Sequence, residues 1–447
     1  MKKVIFSILK YLGTFLAVII VFNCCLYLSC FFPSNIIEEH AKESSDILAE
    51  QGMFYQLSSV FNITNNNCTD SVIINESYAI DNEHPYESYM KARKNYQKGL
   101  TNEELEDING EGVTVNYLEE YGGEAVGYDY DPIGELNDFL YGRISTSLNY
   151  ARYWHGYLIL FRPLLILFNI SQIRTLLFIV FTSLFIYFMF LLNKRFHKNV
   201  AIIFGLSLLC SGYFSVSFSL ESSPVFLTMM ISSIILLKRI DKIKDFSLYL
   251  FIIACIANFV DYLTVPLITL GMLCCLYILK LLENGKDWKY CARFLIFHSI
   301  VWITGYACTW VSKWILYDLT IESFESMLNI GFTQSFYRMT RDNDYALGET
   351  NYFNTIYKIL SNSSFFILIS LWIMMAINKF KINIEKFNKN AIPFLLLSLL
   401  PVGWYIVLAN HTMLHAYFTY RHSLVFMLGI LLAINELLFQ KNMIKKH

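Results

Sequence analysis

The sequence carries little charge for its length. Of its 447 residues, 16% are Asp, Glu, Lys or Arg and 55% are hydrophobic, and the mean hydropathy is +0.43. Soluble globular proteins carry about 25% charged residues, so this composition excludes a soluble protein of this size. The high hydrophobicity also excludes an intrinsically disordered chain. The formal net charge of −1 excludes a strongly basic nucleic-acid-binding protein, so no nucleic acid is expected among its partners.

Several catalytic and metal-binding motifs are also missing. No CxxC pair and no His/Cys cluster with zinc spacing occurs, so the sequence predicts no metal ligand set and indicates no cofactor. It contains no Gly-rich phosphate loop and no GxSxG nucleophile motif. Only Cys68 of the ten cysteines lies within residues 33–153, which excludes a disulfide inside that segment.

Long apolar runs are what the sequence has in abundance. A transmembrane helix needs roughly 20 predominantly apolar residues. The runs predict an all-α polytopic membrane protein with about ten transmembrane helices. They are Tyr11–Phe32, Arg174–Leu192, Val200–Phe218, Pro224–Leu237, Phe246–Tyr262, Val265–Leu282, Phe294–Leu316, Tyr357–Ile377, Ala391–Ala409 and Ser423–Phe439.

The distribution of basic residues predicts the orientation of these helices. Trp154–Ile170 is apolar enough to span a membrane, but it contains Arg162 followed by Pro163. If it lies flat on the outer surface, 21 of the 35 Lys and Arg residues fall on the cytoplasmic side. The positive-inside rule therefore favours an interfacial helix here and places both termini in the cytoplasm. The composition, rich in Ile, Lys and Asn, further indicates a bacterial plasma membrane as the location of this multi-pass protein.

Residues 33–153 form a large, acidic extracytoplasmic loop with 22 Asp and Glu against 7 Lys and Arg. This loop is too long for a simple connection. Asn35 and Glu38 have capping-box spacing, which predicts a helix over Ile36–Ala49. The predicted organisation is a first helix in 1–32, the loop domain in 33–153, an interfacial helix in 154–173, helices two to seven in 174–316, a second outer loop in 317–355, helices eight to ten in 356–440 and a cytoplasmic tail in 441–447.

Ionisable residues concentrate at the predicted outer ends of the helices, where each one is costly and needs a reason. Basic groups at that depth suit a phosphate or pyrophosphate. The candidate substrate-binding residues are Arg152, His155, Arg162, Lys313, His415 and Arg421. Carboxylates above them suit general-base catalysis on an acceptor, and the candidates are Glu38, Glu39 and Asp81.

Other roles stay open for several of these residues. Arg162 can anchor its helix at the membrane interface, and His415 can be a packed polar residue. Lys313 can extend to lipid headgroups. Arg421 can pair with Asp261, and Glu38 can cap its own helix by reaching back to Asn35.

Some segments resemble the GT-C superfamily, the polytopic glycosyltransferases that use polyprenyl-phosphate sugars. His155–Leu160 and the following stretch to Arg174 resemble the interfacial helix of that family, and Asn193–Phe196 resembles its basic turn. Asn258–Thr264 lies where the family has a polar break between helices. The layout is similar to that of the protein O-mannosyltransferases and lipid A aminoarabinose transferases.

The resemblance implies transfer of a sugar from a polyprenyl phosphate to an acceptor on the outer side of the membrane. It further implies a loop carboxylate as base, with Lys313 and Arg421 stabilising the leaving phosphate. The expected partners are a polyprenyl-phosphate-linked sugar, membrane lipids and a glycan, lipid or protein acceptor. A divalent metal is optional in the superfamily. The sequence departs from the family in its first acidic pair, Glu38 and Glu39, and in Arg162-Pro163, which replaces an earlier double proline.

Three alternative functions remain from the sequence. A cell-envelope polysaccharide polymerase or ligase also binds lipid pyrophosphate through basic outer residues, but its largest outer loop usually comes late in the chain. A transporter usually has internal repeats and charges at mid-membrane. A non-enzymatic scaffold predicts no cavity that joins loop carboxylates to Lys313 and Arg421.

Overall fold

The computed structural model describes residues 2–58, 63–95, 131–144, 147–323, 326–340, 352–378 and 388–438. Much of the acidic loop, part of the second outer loop and the C-terminal tail lie outside these ranges. In the described part, the α-helices are, in chain order, α1 (Lys2–Ser29), α2 (Glu38–Gln51), α3 (Asn67–Tyr78), α4 (Pro85–Lys91), α5 (Pro132–Leu140), α6 (Leu158–Leu165), α7 (Ile170–Arg195), α8 (Lys198–Cys210), α9 (Ser223–Arg239), α10 (Phe246–Val260), α11 (Leu267–Glu283), α12 (Trp288–Thr320), α13 (Met327–Met339), α14 (Tyr352–Ile377), α15 (Ile392–Val407), α16 (Ala409–Leu414), α17 (Ala416–Thr419) and α18 (Ser423–Leu438).

Seven helical segments among the described residues are long and apolar enough to cross a membrane. They are Ile8–Ser29, Ile170–Arg195, Lys198–Phe218, Trp288–Thr320, Tyr352–Ile377, Lys389–Val407 and Ala416–Leu438. Helices are favoured in lipid because they satisfy all their backbone hydrogen bonds internally. The chain is therefore an all-α, multi-pass membrane protein.

Three further helices overlap predicted spans but are shorter than the others. α9, α10 and α11 have 17, 15 and 17 residues, whereas a span needs roughly 20. Helix length alone thus supports seven crossings rather than the predicted ten.

Residues of the first loop form short helices and two antiparallel strand pairs. β1 (Phe54–Ser58) pairs with β2 (Ile63–Asn66), and β3 (Arg93–Asn95) pairs with β4 (Ser147–Asn149). The predicted capping box is wrong, because α2 begins at Glu38 and no side chain caps its first turn. Ser34–Ile36 instead form a 3-10 turn that follows Pro33.

The first-loop elements pack directly on one end of the helix bundle, which we call the loop end. Loop residues such as Ala41 and Ile73 share one hydrophobic core with the transmembrane helices. Arg174, near the start of α7, forms a buried ion pair of 2.7 Å with Asp70 of α3. Asp70 also accepts a hydrogen bond from the backbone N–H of Leu220 at 2.8 Å. One buried carboxylate therefore joins α3 to two parts of the bundle.

The opposite end of the bundle, the basic end, is held by exposed and half-buried ion pairs. Lys10 of α1 lies 2.6 Å from Asp245, just before α10. The C-terminal turns of α7 and α11 meet where Arg195 contacts Glu283, and Lys280 contacts Asp241 in the turn after α9. These contacts show that α1 and α10 begin at the same end at which α7, α9 and α11 finish.

The predicted interfacial segment does not cross the bundle. Within Trp154–Ile170 the regular helix is α6, with eight residues, which span about 12 Å at 1.5 Å per residue. Its buried residues, among them Leu158 and Phe161, pack against α1 and α3. α6 is therefore enclosed between the first loop and the bundle.

Candidate functional site

Four basic side chains meet at the loop end and form what we call the cationic cluster: Arg152, Arg338, His411 and His415. Arg152 follows β4 and is buried, whereas Arg338, on α13, is half-buried. The guanidinium carbons of both arginines lie 6.0 Å from the centroid of the Tyr153 ring. Arg338 donates a hydrogen bond to the Tyr153 hydroxyl at 3.0 Å.

α13 supplies two polar groups to this cluster. Arg152 donates a hydrogen bond to Oε1 of Gln334 at 3.1 Å. Gln334 and Arg338 are four residues apart and therefore lie on one face of the helix. Phe332, Phe336 and Met339 are exposed on the same helix. α13 thus presents a polar face to the cationic cluster and an apolar face outward.

Like charges perturb the titration of these groups. Burial, followed by repulsion from Arg338, lowers the pKa of Arg152 to about 9. Burial and the charges of Arg338 and Arg152 lower the pKa of His415. The pKa of His411 is also well below its usual value because of burial and the adjacent His415 and Arg338. An anion bound here would relieve this repulsion, because a nearby negative charge favours the charged form of each base.

A small polar pocket lies beside the cationic cluster, between the β1–β2 hairpin and the helix links of the loop end. Its cavity volume is about 10 Å³, which is room for about one water molecule. We call it the polar pocket, and it is lined by Phe54, Asn66, Ser219, Glu221, Tyr417 and Arg421.

A carboxylate and a guanidinium, Glu221 and Arg421, line the polar pocket without forming an ion pair. Glu221 and Arg421 are both buried, with 2% and 4% of their surface exposed. Among the ion pairs of the described residues, none joins Glu221 to Arg421. Asn66 donates a hydrogen bond to Oε2 of Glu221 at 3.0 Å. Burial and the nearby charge of Asp70 raise the pKa of Glu221 to about 7.

Three other polar atoms of this pocket are buried and lack a hydrogen-bond partner: Oδ1 of Asn66, Oγ of Ser219 and Nε of Arg421. Buried polar groups are nearly always hydrogen-bonded, and each unsatisfied one needs an explanation. A water molecule fits this space, and because it both donates and accepts hydrogen bonds it can satisfy these atoms.

Tyr417 connects the polar pocket to the cationic cluster. Its hydroxyl lies 3.2 Å from Nδ1 of His415, and its ring packs edge-on against Phe54 with 6.1 Å between the ring centroids. The two sites are therefore neighbours at the loop end.

His155, a predicted binding residue, lies in a buried hydrogen-bond network instead. Its Nε2 donates to the backbone carbonyl of Tyr150 at 2.6 Å, and its Nδ1 lies 3.1 Å from Oε2 of Glu76. The hydroxyls of Tyr157 and Tyr262 donate to the same Glu76 oxygen. This network joins α3 to the start of α6 and the end of α10, which indicates a structural role.

Lys313 and Arg162 are also occupied by structural contacts. Lys313 is fully buried in α12, and its Nζ donates to the backbone carbonyl of Tyr89 in α4 at 3.0 Å. Arg162 is fully buried too, and it donates to the backbone carbonyls of Ser77, at 2.6 Å, and Phe32. Burial in α6 directs the guanidinium of Arg162 to these carbonyls. Neither side chain lines the polar pocket.

The predicted catalytic carboxylates lie elsewhere on the loop elements. Glu38 pairs with Lys42 at 2.6 Å, and Glu39 is exposed. Asp81 is exposed and lies 2.9 Å from His84, whose hydrogen bond lowers the pKa of Asp81. None of the three lines the polar pocket.

Sequence reasoning placed Arg152, His415 and Arg421 on one face of the protein but missed Arg338. The sequence signal for Arg338 is that the polar Gln334 and Arg338 are spaced i, i+4, as are the apolar Phe332 and Phe336. This spacing predicts a helix with one polar face and one apolar face. Asp261, a suggested partner for Arg421, instead accepts hydrogen bonds from Thr264 and Tyr306.

Within the described ranges, no group of three or more His, Cys, Asp or Glu is arranged to hold a metal ion. Comparison with known proteins finds no matching family model, no similar curated protein and no similar solved structure. The geometry of the two neighbouring sites is therefore the main indication of function.

Proposed function

We propose that the protein transfers a sugar from a polyprenyl-phosphate donor to a hydroxyl or amine acceptor at the loop end, as the GT-C resemblance implies. The observation that supports this is the convergence of Arg152 and Arg338 on one tyrosine ring, with His415 alongside. Holding like charges together in a buried site is costly unless an anion offsets their repulsion. A phosphate is the anion best suited to guanidinium groups, because it can accept several charge-assisted hydrogen bonds.

The position of the cluster also suits a donor anchored in the membrane. Trp310 and Trp314, in the last third of the apolar helix α12, donate hydrogen bonds to the backbone carbonyl of Arg152, and the end of a spanning helix is the depth expected for a lipid phosphate. The exposed apolar face of α13 would contact the bilayer while its polar face contributes Arg338. In this proposal the loop end faces outward from a bacterial plasma membrane and both chain termini are cytoplasmic.

The proposal includes ten crossings. The short helices α9, α10 and α11 connect the same two ends as their longer neighbours. At the basic end Asp241, after α9, contacts Lys280 of α11. At the loop end the turn after α10 contacts His411, whose Nε2 donates to the carbonyl of Leu263 at 2.8 Å.

The proposed reaction is a displacement at the anomeric carbon of the donor. The acceptor oxygen or nitrogen forms a bond to this carbon while the bond from the carbon to the phosphate oxygen breaks. The electron pair of the broken bond remains on the phosphate, where Arg152 and Arg338 stabilise the charge. The acceptor proton passes to a carboxylate. Glu221 is a better base in this proposal than Glu38, Glu39 or Asp81, because it lines the pocket beside the cluster.

The test is sugar transfer by purified protein from synthetic polyprenyl phosphates carrying radiolabelled hexoses or aminosugars. We expect Arg338→Ala to lower turnover by about 100-fold, the usual effect of losing one group that stabilises transition-state charge. Arg143→Ala is the matched control, because Arg143 is an exposed arginine that pairs with Asp138, and it should retain wild-type turnover.

Two results would count against this function. If Arg338→Ala and wild type turn over equally, the cationic cluster does not hold the leaving phosphate. If wild type moves no sugar from any monophosphate donor but elongates a pyrophosphate-linked glycan, the polymerase alternative replaces the proposal.

A further inference from the structure

We infer that Tyr153 is a positioning residue of the cationic cluster, whose hydroxyl holds the Arg338 guanidinium in the orientation that receives a phosphate group. This role in phosphate binding requires only the geometry of the cluster, whereas its effect on sugar transfer rests on the proposed function. Tyr153 acts through Arg338 rather than on the reacting atoms.

Two oxygen atoms accept hydrogen bonds from the Arg338 guanidinium. Its Nη2 donates to the hydroxyl of Tyr153 at 3.0 Å, and its Nη1 donates to the backbone carbonyl of Gln334 at 3.1 Å. Neither oxygen carries a formal charge, so both orient the guanidinium without neutralising it. Gln334 lies on the same helix as Arg338 and moves with it. Among the described residues, the Tyr153 hydroxyl is therefore the acceptor that fixes Arg338 relative to the rest of the cluster.

Tyr153 is itself held rigidly by α12. It is buried, with 6% of its surface exposed, and its ring stacks on Trp310 with 5.8 Å between the ring centroids and 15° between the ring planes. The indole N–H of Trp310 donates to the backbone carbonyl of Arg152, the residue before Tyr153, at 2.7 Å. One tryptophan of α12 thus fixes both the ring and the adjoining backbone. A hydroxyl fixed in this way restricts Arg338 before a ligand arrives, which lowers the entropy cost of binding.

The ring and the hydroxyl of Tyr153 contact different groups. The ring lies near both guanidiniums, with 6.0 Å from its centroid to the guanidinium carbons of Arg152 and Arg338, and the electron-rich face of a tyrosine attracts such cations. The hydroxyl instead accepts a hydrogen bond from Arg338. Tyr153→Phe therefore removes the contact that positions Arg338 and keeps the ring and its stacking on Trp310.

The test is isothermal titration calorimetry of the purified protein in detergent with geranyl phosphate, a short prenyl phosphate, as the probe. Tyr153→Phe should weaken binding by about tenfold, the usual effect of losing a hydrogen bond to a charged group. Tyr86→Phe is the matched control. The Tyr86 hydroxyl lies 2.9 Å from that of Thr320 and joins α4 to α12 rather than holding Arg338, so its loss should leave binding unchanged.

A double-mutant cycle separates positioning from a purely structural role. If the hydroxyl acts through Arg338, Tyr153→Phe should cause no further loss of binding in the Arg338→Ala background. In the transfer assay, Tyr153→Phe should lower kcat more than it raises KM, because Arg338 is proposed to act on charge that develops as the donor bond breaks. Both tyrosine variants keep their rings, so their midpoints of thermal unfolding should equal that of wild type.

Three binding results would overturn the inference: no binding of geranyl phosphate to wild type, wild-type affinity in Tyr153→Phe, or an equal loss with and without Arg338. A lower midpoint of unfolding in Tyr153→Phe alone would also overturn it, because the hydroxyl would then be structural. Coupled losses of binding without sugar transfer from any polyprenyl phosphate would support the role of Tyr153 and refute the proposed function. Sugar transfer that depends on Arg338 but is unchanged in Tyr153→Phe would refute the inference and leave the function standing.

Discussion

The buried basic residues differ most in what their charged groups contact. Lys313 and Arg162 contact backbone carbonyls of the first loop, and Arg174 contacts the carboxylate of Asp70. These contacts offset part of the cost of burial and attach the loop to the bundle. Arg152 and Arg338 instead lie close to each other around Tyr153. This difference in partners separates structural cations from the pair proposed to bind a ligand.

At the residue scale, the pKa of Glu221 predicts a pH-dependent stability. The folded-state pKa of about 7 lies above the usual value of 4.5, so the folded protein holds this proton more tightly than the unfolded chain does. The contribution of Glu221 to stability should therefore be fully present below pH 4.5 and be lost as pH rises to about 7. The charged groups that act on it are Asp70, which raises its pKa, and Arg421, which lowers it.

The Glu221→Gln variant removes this titration. Its midpoint of thermal unfolding, measured in detergent from pH 4.5 to 7.5, should rise relative to wild type as pH increases. The largest change expected is about 1.4 kcal/mol for each unit of pKa shift. A difference between variant and wild type that stays constant over this range would contradict the prediction.

At the scale of elements, α13 depends on a close contact with α12. Gly331 packs against Trp314, and a Cβ atom built on Gly331 would lie 2.4 Å from the Trp314 ring. That distance is far below van der Waals contact, so any larger residue must displace either the helix or the ring. Since Arg338 lies on the same helix, this packing also helps to position the cationic cluster.

Gly331→Ala should therefore lower the midpoint of thermal unfolding and reduce turnover in the transfer assay. Misplacing a functional group by about 1 Å can cost about 100-fold in rate. Gly403→Ala in α15 is the matched control, because no atom lies within 4 Å of the added Cβ. There the higher helix propensity of Ala, about 1 kcal/mol, should leave stability unchanged or raised. Equal midpoints for the two variants would show that α13 does not need the glycine contact.

At the scale of the whole molecule, the two ends of the bundle have different chemistry. The basic end carries exposed and half-buried ion pairs such as Lys10 with Asp245. The loop end carries the folded first-loop elements, the cationic cluster and the polar pocket. This asymmetry agrees with the proposed orientation, in which the two ends lie on opposite sides of the membrane.

The proposed orientation can be tested by cysteine labelling. Glu83→Cys, at the loop end, should react with a membrane-impermeant maleimide in intact cells. Lys242→Cys, at the basic end, should react only after the cells are permeabilised. Both positions are exposed, so a lack of reaction reflects sidedness rather than burial, and wild type provides the background from the native cysteines. The reverse pattern would invert the topology.

Part of this description follows from the sequence alone. Each of the ten apolar runs overlaps a helix, because a run that resides in lipid must satisfy its backbone hydrogen bonds internally. The sequence also predicted that the segment containing α6 does not cross the membrane. The basic loops fall on one side of the membrane only if this segment stays at the membrane surface. Membrane class and helix positions are local or compositional properties, and the chain encodes them directly.

Only the tertiary structure decided which charged residues meet. Arg152, Arg338 and His415 come from three distant segments. No spacing in the chain predicts that both arginines contact the Tyr153 ring with His415 close to them. Lys313 and Arg421 looked equivalent in sequence, yet Lys313 contacts a backbone carbonyl and Arg421 lines a pocket. The physical reason is that the cost and the use of a charge depend on its burial and its partners. Both are set by the packing of elements that are remote in the chain.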